Sequence, residues 1–362
     1  MIDLSAAVDD DALARLGAEK GSRRVIDVAE RGAVLAALGD GGYTLSAGGS
    51  LSNTLAGLAR LGAAVPGSAR RPLRVAMAGL IGDDALGAFY AAQLRAAGVA
   101  VVSPRTPGAA TGTVAVLTSP DAQRTMLSYL GTPAPVALPP RMRASIAGAE
   151  MLVIEGYVWE LPGAVATIAD AVAAARAAGT AVALTAGDAG VVTRHGAEIW
   201  AVLEGGVDVL FTNAEEAAAL VARRPGAPGA APGATPLGAE AAALALGPHA
   251  ALVCVTNGSA GSALAALGEL HVIPPYWLTA EPVCTCGAGD AFAAGLIFAY
   301  LRRLDVPSMG RAAARVASAV LGRRGAALGA EAAAALARAL PAAAAPRTGA
   351  APAPVEASSA AA

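Results

Sequence analysis

Residues 284–296 read CTCGAGDAFAAGL, which puts one carboxylate, Asp290, directly behind Gly-Ala-Gly and ahead of an almost wholly apolar run. Gly287, Ala288 and Gly289 carry little or no side chain, so a phosphate can approach their backbone N–H groups as they lead into a helix beginning near Asp290. A carboxylate beside such an anion hole can take the proton from an alcohol while the amides stabilise charge developing on a transferred phosphoryl group. A tight turn followed by a capping aspartate would read the same way. The second motif, GGSLSNTLAGLARLG at residues 48–62, opens a helix on Gly48 and Gly49, with Asn53 on the first turn and Leu55, Leu58 and Leu61 as an apolar stripe behind it. The Asn53 amide both donates and accepts, which suits it to gripping sugar hydroxyls. An Asn at that position also serves as a helix cap.

With these two motifs in this order, the chain resembles the ribokinase-like (PfkB) carbohydrate and nucleoside kinase family, from residue 1 to about residue 328. AGLIGDDALG at 78–87, TGTVAVLTSPDAQRTM from 111, FTNAEEA at 211–217 and VTNGSAG at 255–261 follow in the family's order. The resemblance implies that Asp290 is the catalytic base and that the Gly287, Ala288 and Gly289 amides form the anion hole. It implies that Asp3, Gly48, Gly49 and Asn53 contact the substrate. Asn213 and Glu216, the family's N-x-x-E, would organise the phosphates and the magnesium hydration shell, with Glu216 acting through water. Thr256, Gly258 and Gly261 would border the nucleotide, although a strand ending in a turn accounts for them equally.

The implied reaction is phosphorylation of a primary hydroxyl by ATP with Mg2+. EGYVWE at 155–160, QRTM at 123–126 and GAEKG at 17–21 look most like bacterial adenosine kinases, which makes adenosine the favoured acceptor. Tyr157 and Trp159 either lie near a base or pack the mouth of a strand. Arg124 reads as a solvated charge on the lid, the alternative being that it reaches inward. The rival readings are a ribokinase- or fructokinase-type sugar kinase and a catalytically inactive sugar- or nucleotide-binding homologue.

Two places depart from the family. Cys284 and Cys286 replace oxygen-bearing residues of the loop before GAGD, and a thiol is a poor ligand for a hard cation, which leaves K+ activation doubtful. No further Cys or His lies nearby in sequence to make a zinc site. The opening MIDL reads as the end of a first core strand, with Asp3 in the place of a substrate-binding aspartate. The rest of that strand is then either upstream of Met1 or lost.

The elements that must hold these residues follow from pattern. Short β-branched runs such as MLVIEG, VDVLFTN and ALVCVTNG alternate with helical stretches, predicting an α/β, doubly wound, mainly parallel sheet flanked by helices. Segments 43–49 and 111–131 break this rhythm and read as strands of a small β lid, the second as a hairpin around Ser-Pro-Asp. One kinase domain is expected over 1–340, with a Pro/Gly loop at 224–238 and a disordered Ala/Pro-rich tail at 341–362. At 362 residues and 55% hydrophobic, the chain can bury a large core. A net charge of -2 with scattered arginines argues against nucleic acid as a partner. Three cysteines make no disulfide framework, the acidic start is unlike a secretory signal, and no long apolar run suggests a membrane span. The expectation is therefore a cytoplasmic enzyme whose partners are a small sugar or nucleoside and ATP. An open lid edge would invite a homodimer.

Overall fold

The computed structural model describes residues 1–39, 41–63, 73–121, 123–132, 138–226, 236–276, 284–322 and 325–339. The tail expected from 341, and most of the Pro/Gly loop, lie outside these residues. In chain order the strands are β1 (Ile2–Ala7), β2 (Arg23–Val25), β3 (Thr44–Ala47), β4 (Val75–Met77), β5 (Ile81–Gly82), β6 (Val99–Val101), β7 (Arg105–Thr106), β8 (Thr113–Thr118) and β9 (Arg124–Tyr129). They continue with β10 (Met151–Glu155), β11 (Ala181–Thr185), β12 (Val207–Asn213), β13 (Ala250–Thr256), β14 (Ser262–Ala266) and β15 (Glu269–Ile273).

The main sheet runs β10-β11-β12-β13-β14-β15, parallel from β10 to β13 and antiparallel thereafter. Its apolar strands are covered on both faces, and successive residues go to opposite sides. Val209, Leu252 and Cys254 join a core with the Ser50–Ala63, Ala288–Leu301 and Val306–Leu321 helices. Leu210, Val253 and Val255 join a second core with the Ala164–Ala178, Ala189–Glu204, Ala214–Ala222 and Ala239–Leu246 helices. This is the doubly wound arrangement expected of near-continuous apolar strands. Among the described residues the parallel pair β4-β6 stands apart from this sheet, and β10 lies at its edge.

Both lid segments contribute strands to a separate sheet of order β2-β9-β8-β1-β3. The β8–β9 hairpin alternates buried and half-buried positions, as a strand pair with one covered face should. Its turn closes through Ser119 N–H to Gln123 C=O at 3.0 Å, and Lys20 bridges Asp121 of the turn to Asp10. MIDL, expected at the end of a first core strand, lies in the Ile2–Ala7 strand of this second sheet, parallel to β8 and antiparallel to β3. The alternation of Ile2, Leu4 and Ala6 inward accounts for it, because one face packs on a core while the other does not.

Two helices set the position of the site. The Ser50–Ala63 helix buries Leu55, Leu58 and Leu61, each worth about 1.5–3 kcal/mol when removed from water. The Ala288–Leu301 helix is apolar on nearly every side because the Ser50–Ala63 and Val306–Leu321 helices both pack on it. The contact is close: a Cβ on Gly57 would meet the Ala294 methyl at 3.2 Å. Ser50, Asn53, Thr54 and Gly57 fall on one face of their helix, and Asp290 and Ala294 on one face of theirs. Packing Gly57 against Ala294 therefore delivers Ser50 and Asn53 to Asp290.

Candidate active site

Asp290 lies on the first turn of the Ala288–Leu301 helix, where the helix dipole favours a negative charge. Ser50 Oγ donates to its Oδ1 and Asn53 Nδ2 to its Oδ2, both at 2.8 Å, across more than half the chain. Thr54 Oγ1 also donates to the Asp290 carbonyl at 3.2 Å. Burial raises the Asp290 pKa, while the Asn53 and Ser50 donors pull it back down. The helix is not capped by Asp290, as the plainer sequence alternative had it; its N-cap is Gly287, left-handed at φ 70°. A Cβ on Gly287 would run into Ala326, so the turn depends on glycine twice over. Gly289 is exposed with open space around its Cα, leaving a way in to the helix start. The Ala288 N–H rests on the Thr285 carbonyl at 3.3 Å, a long bond that a phosphate oxygen would improve on.

Asp3, Gly48 and Gly49 join this group. The Asp3 carboxyl fills the space where a Gly48 side chain would begin, and Gly49 takes φ 95° to start the Ser50–Ala63 helix, its carbonyl accepting from Asn53 N–H at 3.1 Å. Burial pushes Asp3 up to about 6; the Met1 ammonium opposes that shift, and the Asp290 carboxylate adds to it. Asp3 and Asp290 are thus near enough to repel one another.

A second cluster occupies the C-terminal ends of the parallel strands, where open α/β sheets bind ligands. Asn213 and Thr256 end β12 and β13 in register with each other. Asn213 and Glu216 form a reciprocal capping box: Asn213 Oδ1 accepts from Glu216 N–H at 2.8 Å, and Glu216 Oε2 accepts from Asn213 N–H at 2.9 Å. Asn213 Nδ2 also donates to Glu216 Oε1 at 2.6 Å. The N-x-x-E spacing therefore has a structural use, and it leaves a buried carboxylate pushed up to about 7 by burial, with Asp188 and Glu155 adding repulsion. Gly258 and Gly261 both have positive φ after β13, and Gly261 lies too close to the Ile273 carbonyl for any side chain.

Sequence reasoning missed four residues here. Ser50, Thr54 and Asp188 went unassigned, and Glu155 was seen only as part of EGYVWE. Glu155 ends β10 opposite Thr185, buried to 7% exposure; the only signal was an acid closing an apolar strand. Trp159 is 4% exposed inside the second core, so it packs and does not stack; Tyr157 remains 37% exposed. Burial and the Asp188 carboxylate push the Tyr157 phenol upward. Arg124 stays partly solvated on the hairpin, and its Nη2 donates to Thr285 Oγ1 at 3.0 Å, an exposed bond between the hairpin and the loop before GAGD. In that loop the Cys286 N–H donates to Cys284 Sγ at 3.4 Å. Among the described residues no group of three His, Cys, Asp or Glu side chains forms a metal cage. Magnesium carried with a nucleotide keeps most of its waters and needs no such cage.

A glycine-led helix start with a half-buried carboxylate on its first turn, held against a doubly wound sheet, suits the transfer of a phosphoryl group to an alcohol. Residues 33–333 match the pfkB family carbohydrate kinase description, and the chain belongs to this family. It is therefore a kinase of the sugar and nucleoside class, whose members use ATP and, as a rule, a divalent metal. The chain is similar to the adenosine kinase from Sinorhizobium meliloti, with 27% identity and a TM-score of 0.79 over 94% of this chain and 96% of that one. It is similar to a probable sugar kinase from Rhizobium etli CFN 42, with 25% identity and a TM-score of 0.79 over 93% and 95%. It shares the fold of the Trypanosoma brucei brucei adenosine kinase at 20% identity and a TM-score of 0.75, over 89% and 96%. No curated protein matches the chain significantly. No helix among the described residues is long and apolar enough to cross a membrane.

Proposed function

We propose that this kinase phosphorylates the primary hydroxyl of a ribonucleoside, adenosine first, with Asp290 as the general base. The observation that carries the reading is the pair of 2.8 Å hydrogen bonds from Ser50 and Asn53 that hold both oxygens of a half-buried carboxylate on a glycine-led helix start. The acceptor sugar lies against Asp3, Gly48, Gly49 and Asn53, where the Asn53 Oδ1 and the Asp3 carboxyl accept from its hydroxyls. Asp290 takes the proton of the attacking hydroxyl, and the first-turn amides at Gly287, Ala288 and Gly289 receive the transferred phosphoryl oxygens. Asn213, Thr256, Gly258 and Gly261 border the nucleotide. Glu216 would hold the hydration waters of Mg2+ carried with ATP, which would supply charge neutralisation to the phosphates. The lid sheet closes over the sugar and excludes water, so that ATP is not wasted on hydrolysis.

Asp290→Asn keeps one acceptor oxygen, replaces the other with an NH2 that cannot accept from its donor, and loses the base. Turnover should fall by a factor of about 10² to 10⁴ with ATP affinity kept. Wild-type turnover in that variant would refute the assignment.

The likeness to the Rhizobium etli probable sugar kinase favours a second reading, a free sugar such as ribose or fructose as acceptor. A panel of nucleosides and sugars with Mg2+ and ATP decides between them by kcat/KM. The altered Cys284 and Cys286 loop favours a third, an inactive binding homologue; binding without phosphate transfer to any acceptor would establish it. Running the panel with and without K+ tests the same loop, and no activation is expected.

A further inference from the structure

Cys284 and Cys286 stand immediately before the glycine-led helix start and take no part in the steps above. Both are half-buried, whereas Cys254, the third cysteine of the chain, is 0% exposed inside the first core. The backbone N–H of Cys286 donates to Cys284 Sγ at 3.4 Å, so the first sulfur lies against the main chain of the residue that carries the second. Only Cα and Cβ separate that nitrogen from Cys286 Sγ. Rotation about χ1 at both residues, with tightening of the turn between them, closes the gap to the roughly 2 Å of an S–S bond. The segment is held at both ends: the Cys284 N–H donates to the Leu321 carbonyl at 3.3 Å, and Gly287 is wedged against Ala326. The adjustment therefore falls on Thr285 and Cys286. Thr285 carries two contacts, its carbonyl accepting from Ala288 N–H at 3.3 Å and its Oγ1 from Arg124 Nη2 at 3.0 Å.

We propose that Cys284 and Cys286 form a reversible disulfide that switches the kinase off by turning Thr285 and drawing its contacts away from the helix start. The oxidant is a hydroperoxide. The Cys284 sulfur, as thiolate, attacks the terminal peroxide oxygen; the O–O bond breaks, and the departing oxygen takes the thiol's proton and leaves as an alcohol or as water. Cys286 then attacks the resulting sulfenic sulfur, the S–O bond breaks, and the hydroxyl leaves as water with the second proton. Two thiols thus lose two electrons and two protons while one peroxide is reduced. The Cys286 N–H offsets negative charge on the Cys284 sulfur, which makes Cys284 the attacking residue. A ring spanning a single intervening residue holds its S–S bond off the favoured geometry, so a dithiol reopens it readily, as a regulatory bond requires. The effect on turnover rests on the reading of the Gly287–Gly289 amides as the anion hole; the chemistry of the two thiols does not.

The test treats the full chain with hydrogen peroxide and then with dithiothreitol, following thiols, mass and kcat. Titration of the folded protein should count two reactive thiols before oxidation and none after, because Cys254 is sealed in the core. Peptide mapping of the oxidised protein should find Cys284 joined to Cys286 within one chain, lighter by two hydrogens, and dithiothreitol should restore both thiols. On oxidation kcat should fall roughly a hundredfold, the worth of one anion-hole donor, and it should return with the thiols. The double variant Cys284→Ser/Cys286→Ser should keep its kcat through the same treatment. Sulfinic acids at these positions in place of the bond, links between chains, or equal inactivation of the double variant would overturn the proposal. A bond that forms and reverses with kcat unchanged would overturn the switch. An active Asp290→Asn would remove the base assignment and leave the thiol count and the peptide map to report on the disulfide independently.

Discussion

At the scale of single residues, the two glycines flanking Ala288 make opposite predictions. Gly287 has φ 70° and no room for a Cβ against Ala326, so Gly287→Ala should lower stability by at least about 1–2 kcal/mol, read as a fall in Tm. Gly289 is exposed with open space, so Gly289→Ala should leave Tm unchanged; its methyl group should obstruct the phosphoryl oxygens and lower kcat. Glu155 gives a pH prediction. An ordinary Glu releases its proton near 4.5 in the unfolded chain, whereas folded Glu155 keeps it to about 7. Its contribution to stability is thus complete below about 4.5 and is lost as pH rises to about 7, up to roughly 3 kcal/mol relative to Glu155→Gln. Thermal melts of both proteins across that window should show the wild type losing ground with rising pH.

Among elements, the β8–β9 hairpin is tied to the loop before Gly287 by Arg124 and Thr285. Arg124→Ala should change stability by no more than about 0.5 kcal/mol, because the bond is exposed, and should raise the KM for the acceptor together with acceptor-independent ATP hydrolysis. Unchanged coupling of hydrolysis to transfer would dismiss the hairpin as a lid. The hairpin itself was legible in residues 111–131, since strict alternation around Ser-Pro-Asp has few other readings. Membership of β1 in the same sheet was not, because a short strand in one sheet and the end of a longer strand in another share the same residue pattern. The Ser50–Ala63 stripe was legible too, whereas the partner helix was not. Gly57 and Ala294 are small residues that carry no periodic signal, yet their close approach brings Ser50 and Asn53 to Asp290.

For the whole molecule, β3 leaves an open edge on the lid sheet, with Leu45 exposed at 42%. Edge strands of this kind pair with their copies unless charge prevents it. Sedimentation should find a homodimer, and Leu45→Lys should return it to monomer with kcat retained. A wild type that sediments as a monomer at all concentrations would rule that pairing out.

The sequence alone determined the family, the doubly wound sheet and the glycine-led motifs, because helix starts, tight turns and strand alternation are local properties written within a few neighbouring residues. Asp290 and Asn53 could be named from it, and so could Asn213 and Glu216. Only the tertiary structure decided that Ser50 holds Asp290 and that Glu155 is buried at the end of β10. It also decided that Trp159 packs and that Arg124 crosses to Thr285. These depend on which helix faces touch and how much water they exclude. Burial sets the proton affinity of an acid, and burial belongs to the assembled sheets and helices, not to any stretch of chain.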